Sequence, residues 1–448
     1  MNRIAHRAGI AYLLAILLIA GFTFFLVEYF AEADTWVVFP GSPHVYRDGT
    51  VGCGVVTDRD RYLLLDLRDG RSYSEDALLR AATVHWVGDR NGNVSAPALS
   101  YHATAMSGFN LLSGVYTYGK NSAVAEYGLS AKVQRVALEA LGDYKGTVAV
   151  YNYKTGQILC SVSTPAYDPD NVPEEMDGMY LNRFTQGVYV PGSIFKIVTL
   201  AAALDSIEDV EEQTFFCSGK YEIGADAITC ETAHGSQDLK AAFRNSCNCA
   251  FAEIALQIGG EGLEQYVQQF CITECISFDG ITTVAGSFEA ADAAPINVAW
   301  SGIGQYNDQI NPCVFLNFVG AVAGEGKGAK PYLVEKISVG SKTTYRAETE
   351  TGARLMSATT ANTVKEYMCY NVDDYYGPEN FCGLTVGAKT GTGEVGGGKK
   401  PNAMFAGFVD DEQYPLAFIV AVEDAGYGGK VCIPIVSKVL EACKEALN

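Results

Sequence analysis

Pro191-Gly192-Ser193-Ile194-Phe195-Lys196 opens the apolar run Ile197-Val198-Thr199-Leu200-Ala201-Ala202-Ala203-Leu204, and the rest of the chain is read outward from here. Pro and Gly punctuate the entry, and the run has the length and composition of a helix. On such a helix Ser193 and Lys196 stand at i and i+3, so their side chains share a face. A serine hydroxyl is a poor nucleophile until a base takes its proton. Lysine serves as that base only when neutral, which requires a pKa well below the free value of about 10.4. Burial and a second nearby cation both push it that way. The helix start also offers free backbone N–H groups to a developing oxyanion. By itself S-x-x-K is a weak signal in a chain of 448 residues.

Two later stretches add to it. Ser246-Cys247-Asn248 precedes the helical-looking Ala250-Phe251-Ala252-Glu253-Ile254-Ala255-Leu256. A hydroxyl and an amide two apart on a tight turn can both point into one cleft, relaying a proton and holding a peptide carbonyl. Lys389-Thr390-Gly391-Thr392 then ends a strand-like run. Its lysine offers charge to a substrate carboxylate, Gly391 permits close backbone approach, and the Thr392 N–H is a natural second oxyanion donor.

The surrounding pattern gives the architecture. Ser130 is expected to cap an amphipathic helix that Gly142 ends. A hairpin follows, with strands over 147–151 and 157–162 and a Lys154-Thr155-Gly156 turn. Near the carboxyl end three strand-like runs cover 384–390, 403–409 and 416–422, and a helix is expected over 434–446. Strands at both ends with helices between predict an α+β fold whose antiparallel sheet draws its edges from distant sequence. Residues 35–128 read as short strands between Gly, Asp and Asn turns, a small mixed pedestal.

At the amino end residues 8–27 carry no charge, and as a helix they span about 30 Å, enough for a bilayer core. Arg3, His6 and Arg7 precede them and Glu28, Glu32 and Asp34 follow. The positive-inside bias places the tail in the cytoplasm and the remainder outside. Ala31-Glu32-Ala33 resembles a signal-cleavage site, but the apolar core exceeds the usual signal length, so an uncleaved anchor is expected.

Composition excludes several classes. Hydrophobic residues make up 48% and charged ones 19%, so a packed core is assured. A net charge of −20 with no basic tract argues against nucleic-acid binding. Five histidines without H-E-x-x-H leave little room for a zinc hydrolase. Residues 393–400 nearly fit a P-loop, but Lys400 stands where a Mg²⁺-binding Ser or Thr is needed. Thirteen cysteines in an exported chain permit disulfides, and Cys217 with Cys230 is the best local candidate. Cys247-x-Cys249 and Cys271-x3-Cys275 have metal-like spacings but no histidine beside them in sequence, so no metal is expected. His234 reads as a surface-loop residue, and the three tryptophans as packing.

S-x-x-K, S-x-N and K-T-G in this order resemble the signature of penicillin-binding proteins and serine β-lactamases. Gly146-Thr147-Val148-Ala149-Val150, Val162-Ser163-Thr164-Pro165-Ala166-Tyr167-Asp168-Pro169, Ile303-Gly304-Gln305 and Phe405-Ala406-Gly407-Phe408 extend the likeness from about Lys145 to the end. Residues 55–60 are similar to an aspartate-arginine stretch of monofunctional class B members, and the amino-terminal third is too short for a glycosyltransferase domain. The resemblance implies a penicillin-binding transpeptidase fold, an antiparallel sheet flanked by helices plus a helical subdomain. The chain would divide into an anchor (1–30), a pedestal (31–140) and a transpeptidase domain (141–448).

It further implies that Ser193 attacks the D-Ala-D-Ala bond of a peptidoglycan stem pentapeptide, with Lys196 as its base. Ser246 would relay the proton and Asn248 would hold the donor's amide. Lys389 and Thr392 would bind the terminal carboxylate, with Thr390 and Gly391 shaping the strand edge. An acceptor amine would complete the cross-link, β-lactams would acylate the same serine, and no cofactor is needed. The implied location is the cell membrane, single-pass with the catalytic domain outside, beside a polytopic glycosyltransferase partner by analogy. A D,D-carboxypeptidase and a non-enzymatic β-lactam-sensing or scaffold homologue are the alternatives. A β-lactamase is disfavoured by the missing E-x-x-L-N stretch.

Overall fold

The computed structural model describes residues 2–39, 41–43, 45–47, 50–109 and 122–448, so residues 110–121 of the expected pedestal lie outside the described residues. A five-stranded antiparallel sheet runs, in spatial order, Val386–Gly393, Asn402–Val409, Leu416–Val422, Gly146–Asn152, Ile158–Thr164. The pairing of Ile419 with Ala149 stitches the carboxyl-terminal strands to the hairpin, closing the loop in sequence that the α+β expectation required. All seven residues of Leu416–Val422 are buried. Such a strand loses polar/apolar alternation because both its faces are covered.

Alternate residues feed two cores. Val148, Val150, Phe405 and Val420 pack with Val133 and Ala137 of the helix Ala131–Leu141 and with Val439 and Leu440 of the carboxyl-terminal helix. Ala149, Ala406 and Ile419 face the other way, into a core holding Phe315 and Val319 of Pro312–Ala323 and Met368 of Ala358–Asn371. The terminal helix spans Gly428–Leu447 with Pro434 inside it, longer than the expected 434–446. Proline removes one backbone donor, but Cys432, Ile435 and Val436 are buried around it, and that packing holds the helix through the break. The Lys389 strand begins at Val386 and runs on to Gly393, beyond the expected end at Thr390. Pairing of Gly391, Thr392 and Gly393 with Met404, Ala403 and Asn402 overrides their weak strand propensity.

A second sheet of six strands has the order Lys342–Arg346, Val334–Val339, Ala123–Tyr127, Val55–Thr57, Leu63–Asp66, Ser72–Tyr73. Strands from residues 334–346 therefore complete the amino-terminal sheet. Asp58 ties the two regions: its carboxylate accepts the backbone N–H groups of Asp60, Tyr62 and Ala131 at 2.9, 2.8 and 2.8 Å. The helix 131–141 is thus capped from the Asp-Arg stretch, and Ser130 makes no side-chain cap bond. The amino-terminal helix Asn2–Trp36 is long and apolar enough to cross a membrane, and its most apolar window makes no buried contact with the rest of the chain.

Candidate active site

Ser193 lies in a single 3-10 turn, Gly192–Phe195, and Lys196 is the first residue of the helix Lys196–Ser206. In a 3-10 turn residues i and i+3 eclipse, which stacks the two side chains more directly than an α-helix would. The Lys196 Nζ lies 3.0 Å from the Ser193 Oγ. It also donates to the Ser246 carbonyl (2.7 Å), the Ser246 Oγ (3.2 Å) and the Asn248 Oδ1 (2.6 Å). From the opposite wall the Lys389 Nζ donates to the same Ser246 Oγ at 2.9 Å. The five polar side chains from three remote stretches of sequence thus form one connected network.

Both lysines are buried, but by different surroundings. Lys196 packs over the Phe251 ring and its pKa falls to about 8, because burial penalises the ammonium more than nearby cysteines favour it. Lys389 lies over Phe243 and is held well below the ordinary lysine range by burial and then by the charge of Lys196. Two ammonium groups sharing one hydroxyl oxygen disfavour each other, so one of the pair is readily neutral near physiological pH. A neutral Lys196 can accept the Ser193 proton, and Ser246 bridges it to Lys389.

The strand edge is built by glycine. A Cβ on Gly192, which has φ +53°, would stand 2.3 Å from the Thr392 oxygen, and one on Gly391 would stand 2.6 Å from the Pro191 oxygen. Close approach by the Ser193 turn, beyond any approach by substrate, is what requires Gly391. The Lys389 strand is an edge of its sheet. Alternate residues 388, 390 and 392 turn their backbone groups outward along that edge. The Ala388 carbonyl accepts from Asn371 Nδ2 (2.9 Å), the Thr390 N–H donates to the Tyr376 hydroxyl (3.0 Å), and the Thr392 carbonyl accepts from Gln305 Nε2 (3.2 Å). The same parity turns the Thr392 N–H toward the cleft beside Ser193.

Sequence reasoning missed Tyr376. Its hydroxyl meets both the N–H and the Oγ1 of Thr390, and only a tertiary contact reveals it. The expected Cys217–Cys230 disulfide is not formed; both thiols are free. His234 lies in a loop, as expected, between the exposed residues 231–233 and the strand Gly235–Gln237, but it is not at the surface. It is half-buried and groups with Cys217, Cys230 and Cys247 next to the Ser246 turn, because the strands Gly235–Gln237 and Phe215–Cys217 pair there. Residues 394–400 form an exposed loop after the K-T-G strand.

Comparison with known proteins agrees with this geometry. Residues 146–441 match the penicillin binding protein transpeptidase domain. The peptidoglycan D,D-transpeptidase PbpA of Mycolicibacterium smegmatis is 28% identical over 347 residues, 68% of this chain and 70% of the relative. Stage V sporulation protein D of Bacillus subtilis is 28% identical over 350 residues, 72% of this chain but 54% of that longer protein. Among solved structures, penicillin-binding protein A from M. tuberculosis, as a ceftriaxone acyl-enzyme complex, superposes with a TM-score of 0.76 at 20% identity, over 87% of this chain and 98% of that one. That likeness establishes a shared fold. With the family model covering both the serine helix and the Lys389 strand, the chain belongs to the penicillin-binding protein transpeptidase family.

Proposed function

We propose that this protein is a membrane-anchored, serine-type peptidoglycan D,D-transpeptidase, monofunctional and of the class B kind. The carrying observation is the convergence of Ser193, Lys196, Ser246 and Lys389 into one continuous chain of hydrogen bonds, in that order. Neutral Lys196 takes the Ser193 proton as the hydroxyl oxygen attacks the carbonyl between two D-alanines. The oxyanion is received by the backbone N–H groups of Ser193 and Thr392. Ser246 passes the proton on to the departing D-alanine amine, and Asn248 holds the donor's amide. Lys389, with the Thr390–Thr392 edge, binds the terminal carboxylate. An amine of a neighbouring stem then attacks the acyl-serine and forms the cross-link. β-Lactams acylate Ser193 by the same first step.

The arginines before the apolar helix and the acids after it support a cytoplasmic amino terminus with the catalytic domain outside the cell membrane. A polytopic glycosyltransferase is the partner that class B analogy supports. Labelling with a fluorescent penicillin tests the assignment: wild type is expected to label covalently and Ser193→Ala is not. Persistent labelling of the variant would sink the serine assignment. A product assay on pentapeptide stems, with and without acceptor amine, separates cross-linking from carboxypeptidase release.

A further inference from the structure

Beside the Ser246 turn, four residues that no step of the proposed mechanism uses bring their ligand atoms together. The sulfurs of Cys217, Cys230 and Cys247 and a ring nitrogen of His234 all lie within 4.8 Å of one another. A tetrahedral zinc with bonds of about 2.3 Å to sulfur sets its sulfurs about 3.8 Å apart. Cys230 and Cys247 are 3.8 Å apart, far beyond the disulfide length of about 2.05 Å. We propose that Cys217, Cys230, Cys247 and His234 form a structural zinc site that clamps the turn carrying Ser246 and Asn248.

The surroundings suit thiolate ligands. Each of the three sulfurs accepts a backbone N–H: Gly219 to Cys217 at 3.4 Å, Cys249 to Cys230 at 3.4 Å, and Ala250 to Cys247 at 3.5 Å. Outer hydrogen bonds of this kind orient metal-bound ligands and offset their charge. The Nδ1 of His234 is buried, and among the described residues it has no hydrogen-bond partner. A buried nitrogen left in that state costs stability unless something engages it.

The four ligands come from separate pieces of chain. Cys217 ends the strand Phe215–Cys217, Cys230 follows the strand Asp226–Thr229, His234 precedes Gly235–Gln237, and Cys247 caps the helix Asn248–Ile258. The reach to the chemistry is short. Asn248 Nδ2 donates to the carbonyl of Thr229, the neighbour of Cys230, at 2.9 Å, while its Oδ1 accepts from Lys196. Ser246 itself has φ +52°, a strained conformation for a serine that surrounding structure must enforce. Zinc entry releases three thiol protons to solvent and uses the imidazole lone pair, leaving a neutral His ligand and no change of oxidation state. The four are positioning residues, and coordination also withholds these thiols from oxidation.

The test uses the full chain, purified in detergent under reducing conditions and dialysed against Zn²⁺. Elemental analysis is expected to find one zinc per chain, and Co²⁺ in its place is expected to give sulfur-to-cobalt charge-transfer absorption. Cys217→Ser and Cys230→Ser should lose the metal, while Cys271→Ser, at an exposed site, should keep it. His234→Ala keeps all three sulfurs and guards against misfolding of the cysteine variants; it should bind Co²⁺ more weakly with an altered spectrum. Chelation should slow penicillin acylation by about tenfold or more, restored by Zn²⁺. A protein that labels fully with penicillin yet takes up no zinc would overturn the site. So would zinc retained in all three ligand variants, or a disulfide within the set in unreduced protein. Metal content is read without any assay of acylation, so its failure is separable from failure of the transpeptidase reading.

Discussion

In the proposed mechanism Lys196 is the residue on which the chemistry turns, because it must be buried enough to lose its proton yet close enough to Ser193 to use that loss. Its pKa is lowered to about 8, so near pH 7 the charged form predominates and the neutral base grows as pH rises. The second-order rate of penicillin acylation is therefore expected to climb about tenfold per pH unit below 8 and to level off above it, as stopped-flow or labelling time courses will read. A flat profile from pH 6 to 9 would exclude this lysine as the base. Tyr376 acts one step back. Tyr376→Phe leaves the Thr390 N–H unpaired at the strand edge, with an expected cost of about 1–2 kcal/mol in denaturant unfolding and a several-fold slower acylation.

At the scale of elements, two joints hold the site. The first is the contact of the Gly192 turn against the Lys389 strand, where no space for a side chain exists. Gly192→Ala is expected to lose acylation by at least about tenfold, since the Cβ meets a backbone oxygen and the φ is unfavourable, and to lower the melting temperature by several degrees. Retention of full labelling would mean that the turn is free to move. The second joint is the cap of the helix 131–141 by Asp58. Asp58→Ala strips the acceptor from three N–H groups and should destabilise by about 2–3 kcal/mol, seen as a lower urea midpoint with little change in the acylation rate of the folded fraction.

For the molecule as a whole, the membrane helix and the catalytic body are physically separable. Residues 3–25 are exposed throughout, and contacts with the body begin only near the end of the helix. Removal of residues 1–30 is expected to give a protein that stays in solution without detergent and labels with penicillin within about twofold of the full chain. Aggregation of that truncated protein, or loss of its labelling, would show that the helix helps to hold the body together. The six-stranded sheet argues for the opposite relation between pedestal and catalytic body: with two strands supplied from residues 334–346, neither can be cut away intact.

The sequence by itself singled out Ser193, Lys196 and Lys389 as candidate nucleophile, base and strand lysine, because S-x-x-K, S-x-N and K-T-G each encode local geometry within a turn of helix or strand. It also determined the apolar helix at the amino end and the α+β class, since hydrophobic period is a local property. What only the tertiary structure decided were the contacts between pieces far apart in the chain. Asp58 as a helix cap, Tyr376 at the edge and the strands 334–346 in the six-stranded sheet fall in this group. So does His234, read from sequence as a surface-loop residue, which the pairing of Gly235 with Cys217 brings against three cysteines. Local spacing fixes what a segment can become, whereas burial and partnership depend on which segments the fold presses together.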